Sequence, residues 1–288
     1  MKILKLSIIF FIIIFMTTGC NEKALIYDQE LEEETAVPVQ VPDNNIDEEN
    51  SESTYIVSPS PTGTIFQNNI EDSIESNEKL KEKIICVDAG HGITKNNKQE
   101  PVAPNSKEMK PAHVSGTKGS KLTEEQLNLI VALKLKDALE MQGAKVVMTR
   151  NTAECNLSNV DRAKLATDES ADITIRIHAD GGSDSGVSGM SILVPSSKHI
   201  KDEYMINNSR KAGNLILEET IKVTGAKNKG IIERSDMTGF NWSTIPVILI
   251  EMGFMSNPEE DRRLSSDDYQ NKIVDGIKFG LLKYFDVN

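Results

Sequence analysis

From residue 80 onward, short apolar runs alternate with longer segments whose apolar residues recur every three or four positions. Residues 84–88 (IICVD) form a run of strand length that leads into Ala-Gly-His-Gly. A helix is predicted from Thr123. Thr123 and Gln126 have capping-box spacing, and Leu127, Ile130, Val131, Leu135, Ala138 and Leu139 mark one helical face. Gly143 is the expected C-terminal stop. Strands follow at 144–149 (AKVVMT) and 172–178 (DITIRIH), with a shorter helix after Ser158 between them. Ile173, Ile175 and Ile177 share a face, as a period of two requires. Next come a strand at 190–194, a long helix over 202–223 stopped by Gly225, and a strongly apolar strand at 245–251 (IPVILIE). Asn257-Pro258 supplies an N-cap and a first-turn proline for another helix, and an amphipathic helix is predicted over 267–285. Strands separated by helices predict a single α/β domain over residues 80–288, a mostly parallel sheet with helices on both faces. Residues 93–120 break the pattern: they are polar, hold Gly, Pro and Lys, and have no apolar period. A loop of that length in a compact domain is usually functional or mobile.

The chain before residue 80 is of another kind. Lys2 and Lys5 precede an apolar run at 6–16, broken only by Ser7, which is too short to span a bilayer as a mature helix. The run leads to Thr17-Thr18-Gly19-Cys20, which resembles the lipobox of bacterial lipoproteins, although Thr17 stands where Leu is usual. That resemblance implies a signal peptide over 1–19 and acylation of Cys20, which would hold the protein on the outer side of a lipid bilayer. Residues 20–79 read as an acidic, disordered linker with few large apolar residues. The stretch holds 15 Asp or Glu against 2 Lys, whereas the part from residue 80 holds 28 Lys or Arg against 29 Asp or Glu. The net charge of -12 therefore belongs to a solvated spacer and carries no information about substrate. Such a spacer has a root-mean-square reach of roughly 40–45 Å. The near-neutral domain, with no basic cluster, speaks against a nucleic-acid partner.

Four histidines occur in the chain, and two of them, His91 and His178, fall at the ends of predicted strands. Glu251 also ends a predicted strand, and Glu124 sits in the first turn of the helix after the His91 strand. In an open parallel sheet the carboxyl ends of the strands share one edge, where ligands bind. Two imidazoles and a carboxylate with an open fourth position make a catalytic zinc pattern, and a further carboxylate can serve as base. Each residue also has a plain structural reading. Glu124 is favoured at a helix N-terminus by the dipole, His91 is suited to a turn, and His178 to a hydrogen-bonded core position. Glu251 is harder to dismiss, because a carboxylate at the end of so apolar a strand needs a partner or a task. Asp88 fits a role in ordering the turn or a histidine from behind.

Four segments in order then carry a family resemblance. Val-Asp-Ala-Gly-His-Gly at 87–92, Glu124 ahead of Leu127-Asn128-Leu129, Ile-His-Ala-Asp at 177–180, and Ile-Glu-Met-Gly-Phe-Met-Ser-Asn-Pro-Glu-Glu at 250–260 resemble the zinc-dependent N-acetylmuramoyl-L-alanine amidases of the amidase-3 type. The likeness spans roughly residues 82–286. It implies Zn2+ as cofactor, His91, Glu124 and His178 as its ligands, and Glu251 as the catalytic glutamate. Glu124 aligns better than its neighbour Glu125. The implied reaction is hydrolysis of the amide between the lactyl group of N-acetylmuramic acid and L-alanine in peptidoglycan. Arg176 stands where Ser is common and Asp180 where Asn is frequent, so both are candidates for shaping the substrate groove.

The alternatives are a zinc peptidase cutting within the stem peptide and a non-catalytic wall-binding lipoprotein. The latter predicts a missing ligand or a missing Glu251, and neither is missing. Trp242 is read as packing, His113 as a lesser substrate-contact candidate, and the protein is expected to be a monomer. Cys86 reads as a small buried hydrophobe and Cys155 as a loop residue.

Overall fold

A computed structural model describes residues 78–286. The expected signal peptide at 1–19, Cys20 and nearly all of the expected linker at 20–79 lie outside the described residues. Six strands form the main sheet: β1 (Ile84–Ala89), β4 (Lys145–Met148), β5 (Ile173–Asp180), β6 (Met190–Pro195), β7 (Asn228–Arg234) and β8 (Val247–Phe254). Their order is β4-β1-β5-β8-β6-β7. The first four are parallel, β6 is antiparallel to β8, and β7 is parallel to β6. A separate hairpin of β2 (Gln99–Pro101) and β3 (Met109–Pro111) lies within the segment that showed no apolar period. The helices are α1 (Glu124–Glu140), α2 (Asn159–Asp168), α3 (Glu203–Thr224), α4 (Thr238–Asn241), α5 (Pro258–Leu264) and α6 (Asp267–Tyr284).

The period-two pattern sorts the sheet into two unlike faces. Ile85, Val87, Ala89, Ile173, Ile175, Ile177, Ile192, Val194, Ile248 and Ile250 point into one continuous core with Leu127, Val131, Leu135 and Leu139 of α1, Ala212 and Ile216 of α3, and Ile273 and Ile277 of α6. Burial of that apolar face, worth about 25 cal/mol per Å² removed from water, is what drives the three helices onto it. On the other face, Leu193, Val247 and Leu249 pack with Phe240 of α4, and Cys86 packs with Ala166 of α2. That second face also carries polar residues, among them Asp88, Thr174, Arg176, His178 and Glu251. The thinner, polar-lined side of the sheet thus holds the groups that carry chemistry.

Local signals place the helices. Gln126 Oε1 accepts from the Thr123 backbone N–H at 3.0 Å, Ser158 caps α2, and Asn257 accepts from the Glu259 and Glu260 amides. Gly225 ends α3 in the left-handed conformation at φ 66°. Helix α1 ends at Glu140 with Met141 as its cap, and the left-handed Gly143 comes after that cap. Strand β8 runs past Glu251 to Phe254, and β5 past His178 to Asp180 with a register shift. The expected end at Glu251 was therefore too early. The apolar run ceases there because one face of the strand turns polar, while pairing continues. Among the described residues no helix is long and apolar enough to cross a membrane.

Candidate functional site

His91 follows β1 directly and holds a left-handed backbone, φ 59°, a sparsely populated region for a residue with a Cβ. Its Nδ1 lies 2.7 Å from the carbonyl oxygen of Val114, which fixes Nδ1 as the donor there and turns Nε2 toward Glu124. Nε2 lies 3.0 Å from Glu124 Oε1. His178, on β5, brings Nδ1 within 3.1 Å of the same oxygen. Gly90 makes room for the His178 ring: a Cβ there would fall 2.4 Å from its Cε1 and Nε2.

Glu124 opens α1 and is 4% exposed. Its Oε2 accepts from the Thr117 amide at 2.9 Å, and Oε1 accepts from the Ala179 amide and from Asn128 Nδ2. Burial would raise its pKa, but the hydrogen bonds with His178 and His91 outweigh that and hold the carboxyl well below the usual range. Burial lowers the pKa of His178 to about 4, so its imidazole is neutral at physiological pH. Both loop contacts, Val114 and Thr117, come from the 93–120 segment, so part of that segment buttresses the site. Glu100, on its hairpin, accepts from the Val160 amide at the start of α2.

One potential ligand atom from each of His91, Glu124 and His178 lies within 4.8 Å of the others. Two imidazole nitrogens and a carboxylate oxygen suit zinc, and three protein donors leave a fourth position open. The residues fit the metal that the sequence implies.

Glu251 is the β8 neighbour of His178 and is flanked on its other side by Ser191 of β6. Its Oε2 is buried with no hydrogen-bond partner. Burial, reinforced by the nearby carboxylates of Glu124 and Asp180, pushes its pKa well above the usual value, and Arg234 and Arg176 only partly offset this. A carboxylate held this way has raised proton affinity beside the His91–Glu124–His178 group.

Asp88 does not touch either histidine. It accepts from Arg162 Nη1 at 2.5 Å, Arg176 Nε at 2.7 Å and Thr149 Oγ1 at 2.7 Å. Arg162 in turn donates to the His91 carbonyl at 2.6 Å, so Asp88 reaches the His91 turn through Arg162. Arg176 is 5% exposed and bonds Asn159 as well. Asp180 sits at the end of β5, where its carboxylate accepts from the Gly181 amide. Trp242 donates Nε1 to the Pro101 carbonyl, with Lys164 over its ring. Cys155 lies in a loop as expected and is buried there, and both it and Cys86 are free thiols. Sequence reasoning missed Arg162, Asn128 and Thr117. Asn128 had a weak signal, four residues after Glu124, but the partners that tie Arg162 to the site, Asp88, Ala89 and His91, are 71 to 74 positions away.

Two clefts, of about 270 and about 320 Å³, border His91. Both reach His113, and the smaller also reaches His178 and Arg176.

A sequence profile described as N-acetylmuramoyl-L-alanine amidase matches residues 85–283. The germination-specific N-acetylmuramoyl-L-alanine amidase of Bacillus subtilis is 29% identical over 231 residues, covering 72% of this chain and 81% of the relative. The B. subtilis protein YqiI is 27% identical, covering 73% of this chain and 88% of its own. The crystal structure of the Mycobacterium smegmatis amidase Ami1 superposes with a TM-score of 0.67 over 73% of this chain and 99% of that one; at 22% identity that likeness bears on the fold.

Proposed function

The chain belongs to the N-acetylmuramoyl-L-alanine amidase family, and we propose that it hydrolyses the lactyl–L-alanine amide of peptidoglycan with Zn2+ held by His91, Glu124 and His178 and with Glu251 as proton carrier. The observation that carries this reading is the convergence of the three donor residues, with Glu251 paired to His178 across adjacent strands.

Bound zinc would polarise the scissile carbonyl and lower the pKa of a water toward neutrality. Glu251 accepts the proton of the attacking water, helped by the affinity that its buried position confers. It then delivers that proton to the amine nitrogen of L-alanine as the C–N bond breaks. Glu124 is held in its ionised form by its hydrogen bonds, so it stays a ligand and does not compete as the base. The Val114 carbonyl and the Gly90 gap set the orientation of the two imidazoles. No nucleophilic side chain is needed.

A lipid on Cys20 and an acidic spacer over 20–79 are proposed as the tether that lets the domain work on wall material above the membrane, as a monomer. The test of the activity is digestion of purified peptidoglycan followed by mass spectrometry. The expected products are intact stem peptides with a free L-alanine amine and glycan strands with a restored lactyl carboxylate. Cuts within the stem would favour the peptidase alternative instead.

A further inference from the structure

Three guanidiniums are buried beside the site, and two of them, Arg162 and Arg176, share the buried carboxylate of Asp88. Arg150, Arg162 and Arg176 are each 5 or 6% exposed, and Asp88 is 1% exposed. Arg150 spends its N–H groups on the carbonyls of Ala89, Gly90, Glu125 and Thr152. Arg162 is fully engaged by Asp88, Cys155 and the carbonyls of Ala89, His91 and Leu157. Arg176 is different. Its Nε bonds Asp88 and its Nη2 bonds Asn159, but Nη1 has no partner among the described residues. Nη1 lies where a side chain at residue 239 would be, 2.1 Å from the position of a Cβ, so Gly239 keeps that space clear.

The unused end of Arg176 lines the cleft of about 270 Å³ that also borders His91 and His178. The same cleft is lined by His113, whose Nε2 is buried without a partner, and by Lys110, whose Nζ is already held by the carbonyl of Asp236 and paired at 3.5 Å with its carboxylate. Guanidinium groups bind carboxylates through strong, oriented hydrogen bonds.

We propose that this cleft is a carboxylate subsite, in which Arg176, with His113, binds a free carboxylate of the substrate close to the scissile amide. The inference rests on the amidase reading and adds a substrate class to it. The lactyl carboxyl is consumed in the scissile amide and the N-acetyl sugar is neutral, so the carboxylate must belong to the peptide. The preferred substrate is a stem whose residue after L-alanine carries a free carboxylate rather than a carboxamide.

The experiment uses the zinc-loaded full chain and two muramoyl dipeptides that differ only in that carboxylate or carboxamide. The wild type is expected to favour the acid by about 10- to 100-fold in kcat/KM, the range for hydrogen bonds to a charged group. In Arg176→Lys the single ammonium is committed to Asp88, so the ratio should fall to within about 3-fold of unity. A melting curve checks that this variant is folded. If it is not, calorimetry of wild-type binding to the free dipeptide acid and its carboxamide gives the same comparison without turnover, with tighter binding of the acid expected. Equal handling of acid and carboxamide by the wild type, or an unchanged ratio in Arg176→Lys, overturns the subsite alone. Cleavage of neither compound overturns the amidase reading and the subsite with it.

Discussion

His178 and Glu251 are register partners on the neighbouring parallel strands β5 and β8, so a metal-ligand candidate and a carboxylate of raised proton affinity share one rung of the sheet. Because adjacent strands are about 4.8 Å apart, the two side chains emerge side by side on the same face. No loop movement is needed to assemble them.

That arrangement predicts a division between binding metal and using it. His91→Ala or His178→Ala should reduce zinc content of the purified protein from about one equivalent to near zero, since two protein donors hold the ion poorly. His113→Ala should keep its zinc. Metal analysis after dialysis checks this, and full zinc occupancy in either triad variant would remove that residue from the ligand set.

Gly90→Ala tests the space behind the ring. The new Cβ would fall 2.4 Å from two atoms of His178, a distance no real contact tolerates, so the imidazole must move. The fold should persist, while zinc affinity falls by about 10- to 100-fold, as for other disturbances of ligand orientation. Competition with a chelator measures it, and wild-type affinity would contradict the orientation argument.

Asp88 predicts a pH dependence of stability. Burial opposes its charge, but Arg162, Arg176 and Thr149 overcome that and hold the folded pKa far below the usual value. A depressed carboxylate pKa gives stability that is complete above the unfolded value of about 3.9 and is lost as pH falls below it toward the folded pKa. Asp88→Asn leaves two guanidiniums buried without a carboxylate and should cost about 3–5 kcal/mol at pH 7. Urea unfolding at pH 7 and pH 3 should show the difference between wild type and variant shrinking at the lower pH. A constant difference would mean that Asp88 acts by packing alone.

Much of this arrangement can be read from residue order, and the exceptions have physical causes. IICVD, DITIRIH and IPVILIE are legible as strands because one or both faces are buried and the apolar residues are contiguous. Strand β7 (NKGIIER) escaped because it is an edge strand, half-exposed and interrupted by Gly230. The β2–β3 hairpin escaped because each strand has three residues and its anchors are polar: Glu100 to α2 and the Trp242 side chain to Pro101. His91, Glu124, His178 and Glu251 could be picked out by position at element ends. Asp88 and Arg176 could also be singled out, but their joining with Arg162 could not be read, because the partners are 74 and 88 positions apart and nothing local marks Arg162.

The tether is tested separately. Cys20→Ala should leave the protein unprocessed or released, without the mass of an added lipid. Membrane fractionation and intact mass check this. A variant that stays in the membrane fraction with the wild-type mass would rule out acylation at Cys20.

The most direct test of the account is Glu251→Gln, assayed for zinc content and stem-peptide release on the same preparation. Glutamine keeps the size and polarity of the side chain but cannot accept the water's proton. Loss of a general base alone typically costs about 10²–10⁴-fold in rate, and the same residue also protonates the leaving amine, so the upper end or beyond is expected. The account predicts a folded protein with about one equivalent of zinc and almost no release of stem peptides. Near-normal release would contradict it.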